Sequence, residues 1–62
     1  MKLLSKKELR NKVVYSIQHI TRLEQAGRFP KRIRLGQNRV AWLESEVDDW
    51  IAQKMQERDS SV

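Results

Sequence analysis

Four side chains within residues 17–22 could recognise DNA bases. Gln18 could form paired hydrogen bonds with adenine, and His19 could donate to guanine N7 or to a phosphate. Ile17 could pack on a thymine methyl group, while Arg22 could reach guanine or the DNA backbone. These side chains could read bases in double-stranded DNA if the start of a recognition helix presents them.

Groups that could carry out catalysis or bind a metal do not converge in the sequence. The 62 residues include no cysteine and one histidine, so the usual zinc-binding spacings are absent. The carboxylates lie mainly near the two ends of one amphipathic segment, and there is no glycine-rich phosphate loop. A chain this short buries only about 60% of its unfolded surface, which leaves little room for a catalytic cavity. We therefore predict no enzyme activity, no metal, no cofactor and no small-molecule ligand.

Positive charge is concentrated in the first two thirds of the chain. Residues 1–40 contain eleven Lys and Arg against two Glu, which gives +9, whereas residues 41–62 carry −4, for a net charge of +5. A fold that gathers the first segment on one side would attract polyanions. The charge could instead serve only to keep a small domain soluble, but solubility does not require so large an imbalance.

The scaffold that must position these groups begins with a short helix. Ser5 and Glu8 have the spacing of a capping box, in which each side chain satisfies a backbone N–H of the other residue. The box predicts a helix over residues 6–11, and the β-branched Val13 and Val14 argue against its extension.

A second helix carries the base-reading residues. Ser16 can cap it, and the apolar spacing predicts a helix over residues 17–26. Gly27 then supplies a left-handed residue, and Pro30 prevents continuation. Two short helices with a tight connection are the outline of a helix-turn-helix.

The next segment has the alternation of a β-hairpin. Strands are predicted over residues 31–35 and 39–42, joined by a Gly-Gln-Asn turn at residues 36–38 that tolerates positive φ. Because an isolated hairpin is marginal in water, it must pack on the helices. The residues expected to make that contact are Phe29, Ile33, Leu35, Val40 and Trp42.

A third helix completes the predicted core. It is expected to start near Glu44 or Ser45, where acidic side chains favour the helix dipole, and to reach about Glu57. Its apolar stripe would consist of Val47, Trp50, Ile51 and Met55. The result is one mainly α domain over residues 1–58, in the order helix, helix, hairpin, helix, followed by a flexible tail over residues 59–62.

Residues outside the base-reading set are candidates for contact with phosphate. Arg34, Asn38 and Arg39 lie near the hairpin tip and would rest on phosphate or enter a narrowed minor groove. Arg34 and its neighbour Arg32 could instead form a solvated strand face. The remaining candidates for backbone contact are Lys6, Lys7, Tyr15, Ser16, Thr21, Arg28, Lys31 and Arg32.

Several apolar and aromatic positions keep alternative roles. Ile17 could be a core residue, because its burial would stabilise a small domain. Tyr15 could stack on the core or give its hydroxyl to a phosphate. Trp42 and Trp50 could stack on bases, but their apolar surroundings favour core packing.

Residues spread over positions 3–57 match a known family in their order and spacing. They are Leu4-Ser5 with Glu8 and Leu9, Ile20 with Arg22 and Leu23, Gly27-Arg28-Phe29-Pro30-Lys31, Leu35-Gly36, Val40-Ala41-Trp42, and Glu46-Val47 with Trp50-Ile51. In this combination the chain resembles the AlpA-type prophage regulators, which are similar in turn to phage excisionases and to the DNA-binding part of MerR-type activators. The resemblance implies a MerR-like winged helix-turn-helix acting at a prophage or integrative element. Members activate transcription of an integrase gene or bend attachment-site DNA for excision.

The start of the second helix departs from that family. Such proteins commonly place a small residue at the turn and a Ser-Arg-Ser/Thr-Thr-like run at the helix start. This chain has Val14-Tyr15 followed by Ser16-Ile17-Gln18-His19. The DNA sequence that is read is therefore expected to differ.

We expect a cytoplasmic, sequence-specific DNA-binding regulator that is a monomer in solution and loads cooperatively on DNA. Integrase and RNA polymerase are its candidate protein partners. No apolar run approaches the roughly 20 residues that span a bilayer, so no membrane contact is expected. The alternative function is a protein-interaction module whose basic surface recruits or inhibits an acidic partner.

Overall fold

The computed structural model describes the backbone of residues 1–60 and the side chains of residues 1–58. Its elements, in chain order, are β1 (Leu3–Leu4), α1 (Lys6–Val13), α2 (Ile17–Gln25), β2 (Ile33–Gly36), β3 (Arg39–Leu43) and α3 (Glu44–Ser60). The predicted order of helix, helix, hairpin and helix is confirmed. The two short helices, the β2–β3 wing and the closing helix form a winged helix-turn-helix.

The capping box predicted for α1 is confirmed. The Ser5 N–H donates to Glu8 Oε1 at 3.0 Å, and the Glu8 N–H donates to Ser5 Oγ at 3.2 Å. The earlier end predicted for this helix is wrong, because packing of Val13 against the core offsets its modest helix propensity. The helix ends at Val13, and its C-cap residue Val14 has a left-handed φ of 68° and an N–H that donates to Arg10 O at 2.8 Å.

The start of α2 follows the prediction. It begins at Ile17, and Ser16 Oγ accepts a hydrogen bond from the His19 N–H at 3.1 Å. The helix ends at Gln25, slightly before the predicted boundary. Gly27 has a φ of 72°, which confirms its left-handed position after the helix.

A third strand, β1, was not predicted. It pairs antiparallel with β3, so that Leu3 lies opposite Leu43 and Leu4 opposite Trp42, and the strand order is β1-β3-β2. Two residues are too few to show an alternating pattern in the sequence. The pairing holds the N-terminus against the wing and makes β3 the central strand.

The hairpin contains a β-bulge. Arg34 lies opposite Val40 and Gly36 opposite Arg39, which leaves Leu35 as the extra residue of β2. The observed bounds of both strands differ slightly from the predicted ones: β2 starts and ends later than predicted, and β3 ends later.

The predicted packing of β2 is wrong. Ile33 is 37% exposed and Leu35 is 56% exposed, and the other two residues of β2 are also exposed. The strand lies at the sheet edge, and its bulge disrupts the alternation of inward-facing and outward-facing side chains. The wing is therefore held through Phe29 and Trp42, which are buried.

The core is small and draws on every helix and strand except β2. Its buried residues are Leu4, Leu9, Ile20, Phe29, Ala41, Trp42 and Val47. Half-buried Trp50 and Ile51 of α3 pack against this cluster, and burial of Trp42 confirms its predicted core role. Within residues 1–58, the indole N–H of Trp42 has no hydrogen-bond partner.

The last helix is longer than predicted. α3 continues through Ser60 instead of ending near Glu57, so its backbone enters the segment predicted to be a tail. Met55 is 52% exposed, and its predicted place in the core stripe is wrong. Residues 61 and 62 lie outside the described residues. Within residues 1–60, no helix is both long enough and apolar enough to cross a bilayer.

Candidate nucleic-acid interface

The polar residues at the start of α2 are available to an external partner. Gln18, His19 and Arg22 are exposed, and within residues 1–58 their side-chain nitrogens and oxygens form no hydrogen bond or ion pair. Arg22 lies four positions after Gln18 and three after His19, so it neighbours each of them on the helix surface. Ile17 is half-buried and packs against the core, which favours the core role left open for it.

Most of the basic residues around α2 are also unpaired. Two of the lysines in residues 1–40 are instead neutralised by α3: Lys12 Nζ lies 2.7 Å from Asp48 Oδ1, and Lys2 Nζ lies 3.7 Å from Glu44 Oε2. The hydrogen bond that Lys12 donates to Asp48 raises the pKa of Lys12. The exposed basic side chains of residues 1–40 that form no ion pair are Lys6, Lys7, Arg10, Arg22, Arg28, Lys31, Arg34 and Arg39.

Two shallow grooves border α2 and bring basic groups to both of its sides. The groove between α1 and the start of α2 is lined by Lys7, Arg10, Asn11, Val14, Tyr15 and Ser16. The groove between α2 and the wing is lined by Thr21, Glu24, Gln25, Lys31, Arg32 and Arg34. The α2 helix therefore lies between the cations of α1 and those of the wing, as an anion-binding surface requires.

The wing presents polar and basic groups at its tip. Asn38 has a φ of 63° and supplies the left-handed residue that the turn needs. It is exposed, as are Arg34 and Arg39 on the two strands beside it. The side chains of these three residues, predicted to contact DNA, are therefore accessible at the hairpin tip.

Arg32 was predicted to contact the DNA backbone, with a solvated strand face as the alternative, but its side chain is surrounded by partners from the protein itself. Its Nε donates to Glu24 Oε1 at 3.0 Å, its terminal nitrogen forms an ion pair with the same carboxylate, and its backbone N–H donates to Glu24 Oε2 at 2.7 Å. The guanidinium also lies over the Trp42 ring, 5.1 Å from the centroid. Its donors are therefore used within the protein, where they fasten the beginning of the wing to α2.

Thr21 belongs to the same internal connection. Its hydroxyl donates to Ile17 O at 2.9 Å and accepts from the Arg32 terminal nitrogen at 2.8 Å. It is half-buried, in contrast to the neighbouring base-reading candidates. Neither this connection nor the partner of Arg32 could be read from residue spacing, since Thr21 and Glu24 lie far from Arg32 in the chain.

A stack of aromatic rings was also missed by sequence reasoning. The rings of Tyr15 and His19 lie face to face, with centroids 4.2 Å apart and planes 4° from parallel. The residues are four positions apart across the start of α2, which brings them to one side of the helix once Ser16 caps it.

Comparison with known proteins identifies the family. A family model described as prophage CP4-57 regulatory protein (AlpA) matches residues 2–55. A comparison with curated proteins finds no match. The matched segment includes both helices of the helix-turn-helix, the wing and the core-forming part of α3. It covers most of the chain, and the protein therefore belongs to the AlpA family of DNA-binding prophage regulators.

Proposed function

We propose that the protein binds a specific duplex site with the start of α2 in the major groove and the β2–β3 wing on the adjacent DNA backbone or minor groove. The observation that carries this proposal is the set of exposed, unpaired cations on the elements beside α2, which itself presents exposed polar residues. Helix-turn-helix proteins read base edges with the same part of the second helix.

The candidate residues then divide by role. Gln18, His19 and Arg22 read bases, while Arg32 and Thr21 hold the wing against α2. Phosphate contacts are made by Lys6, Lys7, Arg28, Lys31, Arg34, Asn38 and Arg39.

Family membership supports a role at a prophage or integrative element. There the bound protein activates transcription of an integrase gene, acts as a directionality factor for excision, or does both. RNA polymerase and integrase are the corresponding protein partners. In this proposal the protein is a monomer in solution and loads cooperatively on repeated half-sites.

A salt titration tests the proposed contacts. The probe is the best duplex recovered by selection from a random-sequence pool, and binding is followed by fluorescence anisotropy. The logarithm of affinity should fall linearly with the logarithm of salt concentration, with a slope of about −0.9 for each phosphate neutralised. Arg39→Ala should make that slope shallower by about 1, because it removes one wing contact.

Lys54→Ala is the matched control for net charge. Lys54 is not among the proposed contacts: its Nζ lies on α3, 3.2 Å from Glu57 Oε2 and over the Trp50 ring, so its removal should leave the slope unchanged. The proposed function would be refuted if the selection enriched no sequence. It would also be refuted if the affinity for DNA did not depend on salt concentration.

A further inference from the structure

Tyr15 and His19 form a contact that fixes the orientation of an exposed imidazole. Their parallel rings are 4.2 Å apart, while the His19 backbone N–H is bound to Ser16 Oγ at 3.1 Å. Both the ring and the backbone of His19 are therefore restrained before any partner arrives. Stacking also covers one face of the imidazole, which leaves its nitrogen-bearing edge for hydrogen bonds.

Tyr15 is in turn held by the core. Its ring meets Trp50 edge to face, with centroids 6.1 Å apart. Trp50 packs edge to face on the buried Phe29 at 4.9 Å, and its indole N–H donates to Arg28 O at 2.7 Å. A continuous series of aromatic contacts therefore runs from the core to the start of α2.

An exposed histidine without such support would have to be ordered when it binds. That ordering opposes binding, and the cost is avoided when the side chain is already in its bound orientation. Edge-on hydrogen bonding is also the geometry by which side chains read bases in the major groove. The stack thus prepares His19 for an edge contact and blocks base stacking on the face that Tyr15 covers.

We infer that Tyr15 is a positioning residue for sequence recognition, and that it acts by holding the His19 imidazole edge-on to a base. This inference rests on the proposed function, since it concerns how the start of α2 reads its site. The tyrosine ring carries the effect, and the tyrosine hydroxyl does not.

A double-mutant cycle separates this role from a structural one. Affinities are measured for the selected duplex and for a scrambled duplex of the same composition, and their ratio is the discrimination. His19→Ala and Tyr15→Leu should each lower discrimination about five- to tenfold, in the range expected for one base contact. Combining the two substitutions should lower it no further than His19→Ala alone, because Tyr15 acts through the imidazole.

Tyr15→Phe keeps the stack and is the matched control. It should retain discrimination within about twofold of the wild type, since the ring contact is unchanged. Thermal unfolding of each variant reports whether the domain still folds. A Tyr15→Leu protein that is less stable but keeps full discrimination would overturn the inference.

Two other results would also overturn it. Equal loss of affinity for both duplexes in Tyr15→Phe would assign the effect to a phosphate contact by the hydroxyl. Additive losses in the double variant would show that Tyr15 acts independently of His19. If the wild type itself failed to discriminate between the duplexes, the proposed function would fail. If the wild type discriminates and Gln18→Ala lowers that discrimination while Tyr15→Leu does not, only the inference about Tyr15 fails.

Discussion

Residues of the same type contribute very differently to the stability of this fold, as two leucines show. Leu9 is fully buried in the core, whereas Leu35 is 56% exposed on the bulge of the wing. Truncating Leu9 to alanine should destabilise the domain by about 2–5 kcal/mol, because it leaves a cavity. Leu35→Ala should change stability by no more than about 0.5 kcal/mol. Urea denaturation of the two variants checks this, and similar losses would mean that the wing packs more closely than described.

Arg32 and Arg34 are near neighbours with opposite expected effects. Glu24 has 10% of its side chain exposed and would lose its cation in Arg32→Met, so stability should fall by about 1–3 kcal/mol. Arg34→Met should leave stability almost unchanged, because the side chain is exposed and unpaired. Denaturation and the salt titration together distinguish them, with only Arg34→Met making the salt slope shallower. The reverse pattern would place the phosphate contact at Arg32.

Sequence patterns identified the exposed residues of α2 but not their neighbours. Ser16 predicted where the helix starts, and the helical period then placed Gln18 and His19 away from the core. The stack of Tyr15 on His19 and the pairing of Arg32 depend on how separate elements approach each other. Such contacts carry no short-range signal in a single sequence.

At the scale of the elements, the capping box of α1 makes its stability depend on pH. Hydrogen bonds from Ser5 hold the pKa of Glu8 below its ordinary value of 4.5. Because the pKa of Glu8 is lower in the folded state, ionised Glu8 stabilises that state at pH values above its ordinary pKa. This contribution is lost as the pH falls through the lowered pKa of the folded state. The stability of α1 should therefore decline in acid.

Glu8→Gln isolates this effect, because glutamine can also complete a capping box but does not titrate. Between about pH 7 and about pH 2.5, the melting temperature of the wild type should fall further than that of Glu8→Gln. Thermal unfolding followed by circular dichroism measures both. Parallel declines in the two proteins would show that the box does not contribute to the acid sensitivity.

Helix starts were predicted more accurately than helix and strand ends. Caps at Ser5 and Ser16 are local chemistry, so α1 and α2 begin where expected. Tertiary packing decides the remaining boundaries: Val13 joins α1 because it reaches the core, and β1 exists because β3 offers it a partner. The bulge in β2 depends on pairing register, which the alternation of residue types did not reveal.

At the scale of the whole molecule, the fold determines which charges of the sequence pair with each other. The acidic start of α3 pairs with Lys2 and with Lys12 of α1, while the other cations of α1 and those of α2 and the wing stay unpaired within the part of the chain that the structure describes. The net charge of +9 carried by residues 1–40 therefore remains mainly on and around α1, α2 and the wing. The fold explains how a short chain can offer both a core and a binding surface.

The central claim is that α2 and the wing contact the same duplex. Titrating ¹⁵N-labelled protein with the selected duplex and following backbone amide signals tests this directly. The largest shifts should occur at Gln18 and His19 and at Arg34 and Arg39, with little change at the exposed Gln53 of α3. Shifts centred on α3, with α2 and the wing unaffected, would contradict the account.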